Sequence, residues 1–161
     1  MNDKSNKFLS ILQTEIDQIE HLFDLLIAEK TAIESNQIAD LDEISQNKQQ
    51  SLNSIEVASR HRAEFLLAAV QAPTDKERLR KFIDSSPKMD KELLEKRFSL
   101  LDDALTKCKE QNNINAMIIS MNQRHIERNM NILKGIDNNS MTYTNKGTTQ
   151  AAQEKLSGVK A

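Results

Sequence analysis

Apolar residues recur early in the chain at Phe8, Leu12, Ile16, Ile19, Phe23, Leu26 and Ile33, mostly three or four positions apart. That spacing keeps them on one side of an α-helix. Leu9, Ile11, Leu22, Leu25 and Ile27 widen the stripe beyond a two-stranded seam, so a helix over residues 5–34 should touch more than one neighbour. Ser35 and Asn36 are expected to cap a second helix over about residues 37–71, with Asp40, Asp42 and Glu43 placing negative charge near its N-terminal end. The stripe of this helix reads Ile38, Leu41, Ile44, Leu52, Ile55, Leu66 and Val70, interrupted by Lys48, Ser59 and Arg62.

Pro73 ends the second helix, because it lacks a backbone donor and restricts the residue before it. Thr74 with Glu77 three residues later forms a capping box, which opens a short helix over 75–84 with Leu79, Phe82 and Ile83 as its apolar face. Ser86 and Pro87 repeat the start signal. No Gly or Pro then interrupts the chain until Gly135, which is placed to end a last helix over 87–134. At 1.5 Å per residue that helix would run roughly 72 Å, against a diameter near ~40 Å for a compact sphere of this mass. The expected fold is all-α: an elongated antiparallel three-helix bundle or coiled coil, running up, down and up, with a short extra helix at one corner. Residues 5–135 would form this helical domain. The segment 136–161, rich in Asn, Ser, Thr, Gln and Lys, is expected to be a flexible tail.

Composition sharpens the picture by exclusion. Three Gly, two Pro and 4% aromatic residues in 161 leave little material for a sheet protein. A net charge of −2 argues against a nucleic-acid or anionic-membrane surface built on bulk charge. The single cysteine, Cys108, excludes an internal disulfide framework and fits a reducing cytoplasmic setting. The N-terminal residues lack an apolar signal core, and no stretch approaches the ~18 uninterrupted apolar residues of a membrane helix. The expectation is a soluble, intracellular protein.

Chemistry-bearing residues are scattered. His21, His61 and His125 fall on three different expected helices and supply no local metal-ligand pair, so no metal or cofactor is expected. Cys108 follows Leu101 and Leu105 on an apolar face and reads as a buried structural thiol. Paired carboxylates such as Asp102 and Asp103, or Glu15 and Asp17, read as solvated charge. No phosphate loop, nucleophile elbow or dinucleotide fingerprint occurs. Neither catalysis nor a small-molecule substrate is expected.

The segment from Gln111 to Gly135 is the informative one. Polar Gln111, Asn112, Asn115 and Asn122 occupy or border seam positions among Ile114, Ile118, Ile119 and Ile126. Buried polar seam residues cost stability and set register. Met117, Met121, Met130 and Met141 are four of the six methionines, either gap-fillers in a bundle or an adaptable face that repacks around apolar partners.

These residues resemble the FlgN family of flagellar export chaperones. The early helices resemble it in the run LIAEKTAIESNQIADLDEISQNKQQSLNSIEVASRHR, with Arg60 or Arg62 at its end. The later part resembles it in Leu101 and Leu105, Asn112 and Asn115, Ile118 and Ile119, then Ile132, Leu133 and Gly135, followed by Thr142, Tyr143 and Gly147. Ala116 departs from it, standing where members often have Gly. The resemblance covers about residues 5–147 without the corner at 72–87. It implies a cytoplasmic chaperone that binds the C-terminal helical segments of flagellar hook-filament junction proteins. Such a chaperone prevents premature assembly and delivers its cargo to the membrane export gate. Client binding is then expected on the face carrying Asn115, Ile118, Ile119, Asn122, Ile126, Met130 and Leu133. The resemblance further implies export-gate docking through Tyr143, the only tyrosine.

Two other readings compete. A self-associating structural coiled coil or tethering protein would use the same stripes, and a homodimer of the free chaperone would hide them. A helical enzyme or metal carrier would need clustered ligands that the sequence does not supply. Nucleic-acid binding is disfavoured by charge.

Overall fold

The structure, a computed structural model, describes residues 2–134. The chain is an all-α helical bundle in the order α1 (Asp3–Glu34), α2 (Ile38–Ala69), α3 (Asp75–Asp84) and α4 (Lys88–Leu133). No strand occurs among the described residues. Gly135, expected to end the last helix, and the expected tail 136–161 lie outside the described residues. The chain divides into two units, Met1–Ile119 and Ser120–Ala161.

In the first unit one inward row of α1 runs Ser5, Phe8, Leu12, Glu15, Ile19 and Leu26, with Leu22 half-buried within it and Glu29 half-buried at its end; Ile16, Ala32 and Ile33 are buried beside it. The row alternates at intervals of three and four, the repeat of a coiled-coil seam. In α4 the same rhythm runs Asp90, Leu94, Leu101, Cys108, Gln111 and Asn115, with Arg97 and Ala104 half-buried in the gaps. Contacts of α4 with α1 and its N-cap pair Asp90 with Asn2, Arg97 with Gln13, Cys108 with Ile19 and Asn115 with Leu26 and Glu29, rising together along both segments, so these two helices run parallel. Arg62 meets Glu15 while Lys48 meets Glu29, which makes α2 antiparallel to α1. Helix α3 closes this unit with aromatic packing. Phe82 sits edge-on to Phe8 at 5.0 Å and to Phe65 at 5.6 Å, and Phe8 stacks on Phe65 at 5.3 Å. Such pairs add about 0.5–1.5 kcal/mol each beyond the area they bury.

Several local expectations are corrected. Ser35 and Asn36 do not cap α2; they close α1. Asn36 is left-handed with φ 56°, its N–H donates to the Ile33 carbonyl at 3.3 Å, and Gln37 N–H donates to that of Ala32 at 2.9 Å. This is a Schellman ending with Asn in the position usually held by Gly. Gln37 then opens α2 with no side-chain cap. Ser86 does not cap α4 either, because its hydroxyl donates back to the Phe82 carbonyl at 2.9 Å. Thr74 does cap α3, accepting from Glu77 N–H at 3.3 Å.

The α2 stripe is also displaced. Leu52 and Ile38 are 46% and 70% exposed, whereas Ser51 and Ala58 are buried. The three-and-four register that aligns Lys48 and Arg62 with their partners passes through Ser51 and Ala58, which leaves Leu52 outside. Leu105, expected in line with Leu101 and Cys108, is 44% exposed, and Ala104 packs on the core in its place.

Candidate functional site

The interior of the first unit is polar at two levels. Glu15, expected to be solvated, is instead 2% exposed and accepts from Arg62 Nε at 2.6 Å and Nη2 at 3.3 Å. Arg62 also donates to Ser59 Oγ at 3.3 Å. Further along, Lys48 Nζ reaches Glu29 at 2.7 Å, and Asn115 Nδ2 donates both to that carboxylate and to the Leu26 carbonyl at 2.8 Å each. Gln111 Nε2 completes the network by donating to Asn115 Oδ1 at 2.8 Å. Three helices are therefore tied together by one satisfied polar cluster. Beside it, Ser51 Oγ is buried without a hydrogen-bond partner. These ties hold α4 in one register, because a one-step slip would strand each polar group among apolar neighbours.

Two titratable groups owe their state to this packing. Cys108 is buried, its Sγ donates to the Ile19 carbonyl at 3.3 Å, and burial pushes the thiol up from its ordinary value. A raised thiol is a poor nucleophile. Asp90 accepts Asn2 N–H at 2.9 Å. That backbone bond, against a smaller opposing cost of burial and with help from the Ser5 hydroxyl, holds its carboxyl below the usual range. Among the described residues no three His, Cys, Asp or Glu side chains gather as metal ligands, and no helix is long and apolar enough to cross a membrane.

The expected client face divides between the two units. In the first, Asn115 is 2% exposed and engaged in the polar cluster, so its amide is internal. Ile118 is half-buried and Ile119 exposed. In the second, Asn122, Ile126, Met130 and Leu133 are all exposed, and no residue from 120 to 134 is buried. Ile126 is 62%, Met130 47% and Leu133 82% exposed. Tyr143 lies outside the described residues.

Sequence reasoning missed Glu15 as an interior residue and Glu29 as its half-buried counterpart, whereas Arg62, read as a polar interruption of the α2 stripe, is half-buried against Glu15. The signal was present for Glu15, which stands three after Leu12 and four before Ile19. It also passed over Arg124 and Arg128, which with Met121 and His125 line a surface hollow of about 270 Å³ on α4.

A helical bundle whose interior is consumed in fixing register, and whose last helix leaves large apolar side chains uncovered, has the makings of a protein that binds other proteins. The model of one family, described as FlgN protein, matches residues 1–151. The chain belongs to the FlgN family, whose members are flagellar export chaperones. No curated protein and no solved structure matches it.

Proposed function

We propose that this chaperone binds the C-terminal amphipathic segments of hook-filament junction proteins in the cytoplasm. It keeps them unassembled and passes them to the membrane export gate. The observation that carries this reading is the exposure of Ile119, Ile126, Met130 and Leu133 on the final helix. Subunits whose terminal helices pair only within the finished structure carry an uncovered apolar stripe beforehand, and a second amphipathic helix is its natural cover. Ile118 and Asn122 contribute to the same contact, while Asn115 acts from beneath by holding α4 in register. Met121 and Met130 suit more than one partner, since Met repacks readily. No residue of this set is assigned a chemical step, and no cofactor is invoked.

Co-purification of the full chain with junction proteins, followed by titration of their C-terminal segments, tests the reading. Ile119→Asp, Ile126→Asp and Met130→Asp should each weaken binding by more than about 1 kcal/mol, roughly fivefold, with helicity unchanged. Wild-type affinity in folded variants moves the client elsewhere. A stable oligomer that excludes the client favours a self-associating coiled coil instead.

A further inference from the structure

We propose that the groove between α1 and α4 in the first unit docks an amphipathic helix with a cationic flank, on a surface separate from the proposed client face. The inference stands apart from the client reading, because it uses none of that face's residues. The groove holds a hollow of about 440 Å³ with Ile16, Phe23, Leu100 and Ala104 in its lining. Leu9, Ile16 and Phe23 repeat every seven residues along α1, and Leu93, Leu100, Lys107 and Ile114 do so along α4. Each set runs beside the inward row of its helix. On α1 it lies on the opposite flank from Glu15 and Glu29, which reach α2. Two neighbouring helices that each present a second heptad position make the pattern that one more helix completes. Leu100 and Ile114 are exposed and Phe23 is half-buried, so the position is open to solvent.

Charge sets the flank of the occupant. From Phe8 to Glu29, α1 carries Glu15, Asp17, Glu20, Asp24 and Glu29 and no Lys or Arg. Arg62 and Lys48 pair with Glu15 and Glu29. The ion pairs formed among the described residues use none of Asp17, Glu20 and Asp24. Spacings of three and four put these three carboxylates along one exposed edge of α1. Glu20 and Asp24 line the hollow, where Asp103 and Lys107 offset each other on the α4 rim. Arg97 is held by Gln13, to whose side-chain oxygen it donates. An apolar floor thus runs beside an anionic edge, and Lys or Arg on one flank of a partner helix complements it. The rivals fit less well. An anionic membrane or a nucleic acid meets the same carboxylates and is repelled. A second copy set groove to groove would place hollow against hollow. In residues 135–161 the large apolar residues Ile136, Met141, Tyr143, Leu156 and Val159 are too irregularly spaced for a helical stripe, and all three glycines fall there.

The test titrates full-length protein with three synthetic helical peptides that share one Leu/Ala heptad pattern and carry Lys, Gln or Glu at the flanking positions. The Lys peptide should bind about tenfold tighter than the Glu peptide at ~0.05 M salt, and the gap should close near ~0.5 M. Glu20→Lys/Asp24→Lys should invert the order with helicity unchanged, since both positions are exposed. Leu100→Gln should weaken the Lys peptide about fivefold, and Ile126→Asp should leave it within about twofold of wild type. Equal binding of the three peptides, no binding of the Lys peptide, an order unchanged in the reversed variant, or a loss confined to Ile126→Asp overturns the inference. So does tighter binding to phosphatidylglycerol vesicles than to the Lys peptide, or a self-association of the free protein that Leu100→Gln abolishes. A carbodiimide cross-link from Glu20 or Asp24 to Lys146, Lys155 or Lys160 of the same chain would make residues 135–161 the occupant and overturn it too. A junction-protein C-terminal segment is titrated in parallel against wild type and Ile126→Asp. If that segment loses affinity for Ile126→Asp while the three peptides bind alike, the client reading stands and the groove inference fails. If the segment binds both proteins equally while the peptides keep the stated order, the groove inference stands and the client reading fails.

Discussion

Arg62, itself half-buried, shows how much a single partner of an interior charge decides. Its partner Glu15 is 2% exposed, so removing the guanidinium leaves a carboxylate in a place water does not reach. Arg62→Met should cost about 3–5 kcal/mol, whereas Glu15→Leu/Arg62→Met should recover most of that loss, because the buried charge goes with its partner. Urea unfolding of wild type and the three variants reads both values, and a single-variant cost below ~1 kcal/mol would mean that Glu15 is hydrated after all. Asp90 gives a pH-dependent counterpart. Asn2 N–H holds its carboxyl below the ordinary value in the folded protein, so the unfolded chain takes up the proton first as pH falls. The stability it supplies is present above the unfolded-state value and disappears as pH drops through the folded one. Asp90→Asn should therefore lower the urea midpoint at neutral pH and make progressively less difference below about pH 4. A gap that stays constant with pH would remove the carboxylate from the account.

At the scale of elements, the α1–α2 connection depends on Asn36 holding φ 56°. A residue with a Cβ and no local hydrogen-bonding side chain pays a strain there that Gly does not. Asn36→Gly should be neutral or stabilising by a few tenths of a kcal/mol, and Asn36→Val destabilising by more than about 1 kcal/mol, as thermal unfolding would show. The four helices themselves were readable in the sequence, because three-and-four spacing and the punctuation at Pro73, Thr74 and Pro87 are local signals. Which of two neighbouring positions faces inward was not. Ser51 beside Leu52, and Ala104 beside Leu105, reverse the order that hydrophobicity alone assigns. The choice is made by register against another helix, and register is fixed by pairs distant in sequence. Glu15 and Arg62 are 47 residues apart, and Asn115 lies 89 from Leu26. Asn115, which the sequence offers both as a polar seam residue and as part of the client face, stands in the interior of the structure. Ile119, Ile126, Met130 and Leu133 are exposed among the described residues.

At the scale of the whole molecule, a carrier has to hold its client and also announce that it is loaded, and one surface serves both tasks poorly. The exposed apolar side chains of α4 fall at or before Leu133, whereas the family match continues to residue 151. The family's pattern therefore includes chain beyond the proposed client contact, and Tyr143 is the only large aromatic residue in that added length. A single aromatic anchor carries a large share of the energy in a small interface. Tyr143 is thus proposed as the contact with the export gate, separate from the client. Tyr143→Ala should leave the thermal midpoint and the affinity for junction-protein segments within about twofold of wild type, because on this proposal the tyrosine serves the gate and not the client. Its affinity for the soluble part of the gate, measured with client bound, should fall by about tenfold or more, and export of junction proteins should fall with it. Ile126→Asp should show the opposite split, losing client while the mutant protein keeps an intact Tyr143. Should Tyr143→Ala weaken client binding and gate binding together, or lower only the thermal midpoint, the tyrosine packs on the bundle and the two tasks share one surface.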